Sequence, residues 1–245
     1  MSERMRGLIL KETNTGEADK ILTVLTESNG KISVLAKNIR RVKGRFGAGA
    51  SFLCYSDFEL DPSRTELYYL KRATPVENFF GISESIEALA LATYMGQLAS
   101  YIVPECFPTE SSSLSLLLNT FYVLAHGKKD LKLVKSIFEL RLMAEEGCAP
   151  QIAACEKCGE VKFPMCFSVR DGVVRCAECG GEGIMLNEAL YKSMLYILGS
   201  DIKKLYNFTL GEENAESLYS IAERYALHQI GRDLPALDYL NSVII

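Results

Sequence analysis

Along the first third of the chain, apolar and β-branched residues come in short runs that alternate with polar positions and stop at turn residues. A two-residue period of this kind marks strands with one buried face. It predicts five of them, at Arg6–Thr13, Ile21–Glu27, Lys31–Ala36, Ser51–Leu60 and Glu66–Thr74. Ser28-Asn29-Gly30 supplies the Asn-Gly pair of a tight hairpin between the second and third, and Asp61-Pro62-Ser63-Arg64 turns between the fourth and fifth. Five short strands with one long loop before the fourth suit a small barrel of the OB type, and an SH3-like barrel fits the same periodicity.

After Thr74, the stretch Pro75 to Ile82 reads as a linker, and the period then changes to that of helices. Ser83 is the expected N-cap of a helix running to about Ile102, ended by Pro104 and Pro108. Ser111–Ser113 opens a second helix that runs to Gly127, and Asp130 caps a third that reaches Glu146 before Gly147 stops it. The third is apolar around most of its circumference from Leu131 to Met143, as expected of the central helix of a bundle. Asn187 caps a helix through Leu198, and Glu212–Gly231 forms another. The tail from Pro235 carries Leu237, Leu240 and Val243 and is expected to dock on the bundle.

Between these helices lie Cys155-Glu-Lys-Cys158-Gly159 and Cys176-Ala-Glu-Cys179-Gly180, two Cys-x2-Cys pairs separated by 17 residues. That spacing suits a tetrahedral zinc site, and the glycine after each pair tolerates the positive φ of a tight knuckle. A redox dithiol needs only one such pair, at a helix start. Four protein ligands leave no position for water or substrate, so the zinc is expected to be structural. The expected fold class is therefore α+β and multidomain. An N-terminal OB-type five-stranded β-barrel (residues 1–80) is followed by an α-helical bundle domain (81–149 and 186–245), into which a four-cysteine zinc module (150–185) is inserted.

Hydrophobic residues at 48% and charged residues at 24% of 245 are ordinary for a soluble globular protein. No run approaches the ~18 apolar residues of a membrane span, and Met1-Ser-Glu-Arg-Met-Arg-Gly lacks the apolar region of a signal peptide. A cytoplasmic protein with no membrane partner is expected, with Cys54, Cys106, Cys148 and Cys166 as reduced thiols.

Charge changes the picture more. The net charge of −4 argues against a generic polyanion binder, yet residues 1–50 hold ten Lys/Arg against five Asp/Glu, whereas residues 82–245 hold fourteen against twenty-one. The cations are densest in the long loop, where Lys37, Arg40, Arg41, Lys43 and Arg45 accompany Phe46 and three glycines with no acid. Such a loop can track a phosphate backbone while the aromatic stacks on a base; a solvated surface loop is the plain alternative. Lys11 and Lys31 on the neighbouring strands are further candidates. Catalytic motifs are missing: no Walker loop or serine elbow occurs, His126 and His228 lack a zinc-enzyme context, and the Glu145-Glu146 and Glu212-Glu213 pairs are adjacent rather than on one helix face. No enzyme is expected.

Particular runs resemble the RecO family of bacterial recombination mediators. They are Arg6-Gly-Leu-Ile-Leu-Lys11, Gly16-Glu-Ala-Asp-Lys20-Ile-Leu-Thr, Gly30-Lys31-Ile-Ser-Val-Leu-Ala-Lys37, Arg40-Arg41 with Arg45-Phe46, Phe138-Glu-Leu-Arg-Leu, Gly147-Cys-Ala-Pro150 and the four cysteines. The likeness spans nearly the whole chain. It implies a non-enzymatic protein that binds single- and double-stranded DNA, promotes annealing and, with RecR and RecF, helps load RecA onto DNA covered by single-strand-binding protein. It also implies contact with that protein's acidic C-terminal tail. Lys132, Lys135 and Arg141 on the central helix are the candidate cations for the tail's carboxylate, beside an apolar pocket in the helical domain or at its junction with the zinc module. The basic C-terminal tail common in the family has no counterpart here. A zinc-module transcription or RNA-binding factor is the alternative, distinguished by a sharp sequence preference. A metal-dependent nuclease would need an open, carboxylate-lined site that four cysteines do not provide.

Overall fold

The computed structural model describes residues 2–41, 46–65, 67–105, 112–127 and 129–243. Lys43, Arg45, Cys106, Pro108 and Ser111 lie outside the described residues. Two compact units are present, one of residues 1–126 and 234–245 and the other of residues 127–233.

In the first unit, strands β1 (Glu3–Thr15), β2 (Asp19–Thr26), β3 (Lys31–Ala36), β4 (Tyr55–Pro62) and β5 (Leu67–Glu77) close into a barrel in the order β1-β2-β3-β5-β4. All pairs are antiparallel except β3 with β5, the crossing that makes the barrel an OB-like Greek key. Alternate residues face inward: Leu22 and Val24, Ile32, Val34 and Ala36, then Phe58 and Leu60 join Ile9, Leu70 and Ala73 in one core. Gly7 is required inside the barrel, because a Cβ there would lie 2.6 Å from Val24 Cγ1 and 2.8 Å from the Leu25 carbonyl oxygen. Leu8 and Leu10 point the other way and are also buried. Helix α1 (Ile86–Ile102) packs on β1 there, with Gly96 facing the Leu10 backbone.

Several boundaries differ from expectation. The apolar run after Ser51 does not begin the fourth strand, since Gly47–Ala50 forms a 3-10 turn and Leu53 adopts φ +62°, so β4 starts at Tyr55. The supposed linker is partly strand: β5 runs through Pro75 to Glu77, and proline is accommodated where the register shifts beside Ser56. Ser83 belongs to a 3-10 turn at Phe80–Glu84, and the N-cap of α1 is Ser85, whose Oγ accepts from the Ala88 N–H at 3.2 Å. Helix α2 (Ser112–His126) follows, and α6 (Pro235–Val243) docks on α1, its Ala236 N–H donating to Gln97 Oε1 at 2.9 Å.

In the second unit, α3 (Leu131–Glu145) starts at Asp130, whose Oδ1 accepts from the Leu133 N–H at 2.8 Å. It stops at Gly147, φ +82°. Ten of its fifteen residues are buried, as its apolar circumference predicts, and α5 (Glu212–Ile230) and α4 (Glu188–Gly199) pack against it. Between α3 and α4 the chain makes a three-stranded antiparallel sheet from β6 (Met165–Ser168), β7 (Val173–Cys176) and β8 (Ile184–Leu186), in the order β7-β6-β8. Among the described residues, no helix is long and apolar enough to cross a membrane.

Candidate metal centre and nucleic-acid interface

The two cysteine pairs sit on matching knuckles. After Cys155 the chain turns so that the Gly159 N–H donates to the Cys155 carbonyl at 2.8 Å with Gly159 at φ +74°. After Cys176 a 3-10 turn (Ala177–Cys179) closes at Gly180, φ +72°, whose N–H donates to the Ala177 carbonyl at 3.1 Å. The sulfurs of Cys155, Cys158, Cys176 and Cys179 all lie within 4.8 Å of one another. The Cys158–Cys176 separation of 3.9 Å is close to the ~3.8 Å edge of a tetrahedron with ~2.3 Å metal–sulfur bonds. Cys155 and Cys176 are buried, Cys179 is half-buried and Cys158 is exposed.

Charge favours a cation at the centre. Backbone N–H groups of Cys158 and Cys176 lower the Cys155 thiol to about 6, whereas hydrogen bonding to Cys176 and burial among the other sulfurs push Cys179 up to about 12. A positive ion between the sulfurs would stabilise several of them as thiolates together. The donor set fits a thiophilic divalent metal with no open coordination position.

The barrel places its candidate cations unevenly. Register puts Lys11, Thr23 and Ser33 in one row across β1, β2 and β3, and Thr13, Ile21, Leu35 and Tyr69 in the next, which ends on β5. These residues are exposed or half-buried and make the outer face of the sheet. Lys37 continues the alternation of Ser33 and Leu35, and its Nζ lies 4.7 Å from the centre of the Tyr69 ring. Beyond it the chain is pinned to the β1–β2 turn: the Asn38 N–H donates to Asp19 Oδ1 at 2.7 Å and the Arg40 N–H to the Ala18 carbonyl at 3.0 Å. Arg40 is exposed, and Arg41 pairs with the exposed Glu17 at 2.6 Å.

Two expectations fail here. Lys31 is buried: its ammonium donates to the Ser100 carbonyl at 2.6 Å and lies 3.5 Å from Glu105, so it fastens β3 to the end of α1. Phe46 is only 6% exposed and plugs the barrel core, out of reach of any base. Tyr69, paired in register with Leu35, is an exposed aromatic on this face. On the β1-β4-β5 side, a cavity of about 580 Å³ is lined by Arg4, Arg6 and Arg72 together with Glu27, Asp57 and Glu59. That balance of charge suits a polyanion poorly.

The cations of the central helix are engaged internally. Lys135 is fully buried, 2.7 Å from Glu139, 2.8 Å from Glu223 and 4.3 Å from the Tyr219 ring centre. Arg141 donates to the carbonyls of Ile197 and Leu198 at 3.0 and 2.8 Å, closing the end of α4, and pairs with Glu145. Lys132 is partly exposed and pairs with Glu216 at 2.7 Å. Lys135 and Arg141 therefore present no free charge to a partner. A helix that is apolar all round buries its lysine too, and the buried acid one turn on was the sign of it.

The family model described as Recombination protein O N terminal matches residues 1–79, and that described as Recombination protein O C terminal matches residues 83–238. The chain belongs to the RecO family. Proteins named DNA repair protein RecO are similar along almost their whole length. That of Acetivibrio thermocellus is 32% identical over 241 residues, 97% of this chain and 95% of the relative. That of Caldicellulosiruptor bescii is 31% identical over 242 residues, 98% of each. A RecO protein with a closed five-stranded barrel, a helical part and a four-cysteine cluster is thereby described, and its role lies in DNA repair.

Proposed function

We propose that this RecO-family protein is a non-enzymatic DNA-binding mediator of recombinational repair, which holds single- and double-stranded DNA on the outer β1-β2-β3 face of its barrel. The observation that carries the reading is Lys37 over Tyr69 beside the exposed Arg40 and Arg41, a cation and a stacking surface at one edge of that face. In OB folds the corresponding strands and adjoining loops bind oligonucleotides, and here the β1–β2 turn lies against the basic loop. Lys11 lies on the same face, and Lys43 and Arg45 extend the loop's charge. The Arg41–Glu17 pair is exposed and weak, so phosphate can displace it.

The metal is zinc, one ion held by Cys155, Cys158, Cys176 and Cys179, and it stabilises its module without chemistry. The family's activity extends to annealing complementary strands and, with RecR and RecF, to loading RecA onto DNA covered by single-strand-binding protein. That protein's acidic tail docks on the helical part, where Lys132 is the cation still partly exposed. The work is done in the cytoplasm, at the nucleoid.

The reading is tested at Tyr69. Tyr69→Ala should weaken single-stranded DNA binding by about 1–3 kcal/mol, while Tyr69→Phe, which keeps the ring, should stay near wild type. Fluorescence anisotropy on a short oligonucleotide measures both. Equal affinity of all three proteins would move the DNA site off this face.

A further inference from the structure

The second unit carries a groove that the DNA reading does not use. It holds about 530 Å³ and is formed by three separate pieces of chain: Phe163-Pro164 from the cysteine module, Met185 to Leu190 from the end of β8 into α4, and the first turns of α5. Leu186 and Leu190 are buried at its floor, whereas Phe163 is 41% and Met185 67% exposed. Two large apolar side chains left at the lip of a groove of this size are what a bound side chain would cover. The thioether of Met185 can adapt to its shape.

The polar groups narrow the choice of occupant. Asn187 is spent within the fold: its Oδ1 accepts the Leu190 N–H at 2.9 Å and its Nδ2 donates to Asn214 Oδ1 at 2.7 Å. A small polar ligand therefore finds few convergent handles. The charged side chains that line the groove are both acidic, Glu188 and Glu213. Glu188 is shared with Lys192 one turn along α4, and both are exposed.

From this apolar floor with an acidic rim, we propose that the groove is a docking site for a peptide segment of a partner protein that combines a large apolar anchor with flanking Lys or Arg. The anchor packs on Leu186, Leu190 and Met185, and its flanking cations face Glu188 and Glu213. The same carboxylates disfavour an acidic tail.

Two labelled peptides test this on the full-length chain purified without chelator: acetyl-Arg-Phe-Leu-Arg-amide and acetyl-Asp-Phe-Leu-Asp-amide. The basic peptide should bind about fivefold or more tightly than the acidic one at low salt, and the gap should close at high salt. Met185→Ser, which adds no charge, should remove the anchor contact and cost about tenfold. Glu213→Lys, a surface change that leaves the floor intact, should reduce or reverse the preference between the peptides. Both variants alter exposed residues, so circular dichroism should match wild type. No binding of either peptide, preference for the acidic one, or binding indifferent to both substitutions would each overturn the proposal.

Discussion

Lys135 is the residue that most changes meaning between sequence and structure. Burial alone would lower its pKa, but the carboxylates of Glu139 and Glu223 outweigh that and raise it above its ordinary value. A folded-state pKa above the unfolded one stabilises the fold fully below the unfolded value, near 10.5. That contribution is lost as pH rises through the folded value. Lys135→Met leaves Glu139 buried without its cation and should cost about 3–5 kcal/mol, whereas Lys135→Met with Glu139→Leu should recover most of the loss. Urea unfolding at neutral pH checks both. Repeating it above pH ~10.5 should narrow the gap between wild type and Lys135→Met. Equal stability of wild type and Lys135→Met would mean that the pair contributes nothing. Arg141 and Lys31 teach the same lesson: each satisfies backbone carbonyls at the end of a helix, a destination that depends on which helix end the fold brings near.

At the scale of elements, local pattern carried far wherever one face was buried and one wet. Alternation marks Ile32, Val34 and Ala36 as inward, and Asp130 and Asn187 cap the helices they were expected to cap. It failed where burial comes from elsewhere in the chain. Phe46 sits among cations and glycines and reads locally as a stacking aromatic, yet strands up to about forty residues away in sequence close around it. The Ser51-Phe-Leu-Cys run reads as strand because left-handed backbone at Leu53 leaves no mark in a hydropathy pattern. The cysteine pairs were legible because four thiols at fixed spacing leave few alternatives, and Gly159 and Gly180 have the positive φ their knuckles required. This element should depend on its metal. Chelation, or Cys158→Ser, should raise amide exchange in β6, β7 and β8 while exchange in β1–β5 stays at its starting rate, because metal-binding energy is local folding energy. Unchanged exchange after complete metal removal would show that the sheet stands on its own core.

For the whole molecule the relevant quantity is where charge sits. A chain of net charge −4 attracts DNA weakly at long range, so affinity must come from a local group of cations that release condensed counterions. On the proposed reading Lys37, Arg40 and Arg41 are that group, Lys37 lying over Tyr69, with Lys43 and Arg45 next in sequence. The Arg4, Arg6, Arg72 side of the barrel is balanced by acids, and the groove of the second unit carries Glu188 and Glu213. Arginines that contact phosphate act alike on every sequence. The most direct test is a salt titration of single-stranded DNA binding by wild type and by Arg40→Ala/Arg41→Ala on two unrelated oligonucleotides. The double variant should bind both more weakly by the same factor, with its slope of log affinity against log salt shallower by about one unit, at ~0.7 per phosphate contact. An unchanged slope and affinity would contradict the account and leave the basic loop as solvated surface.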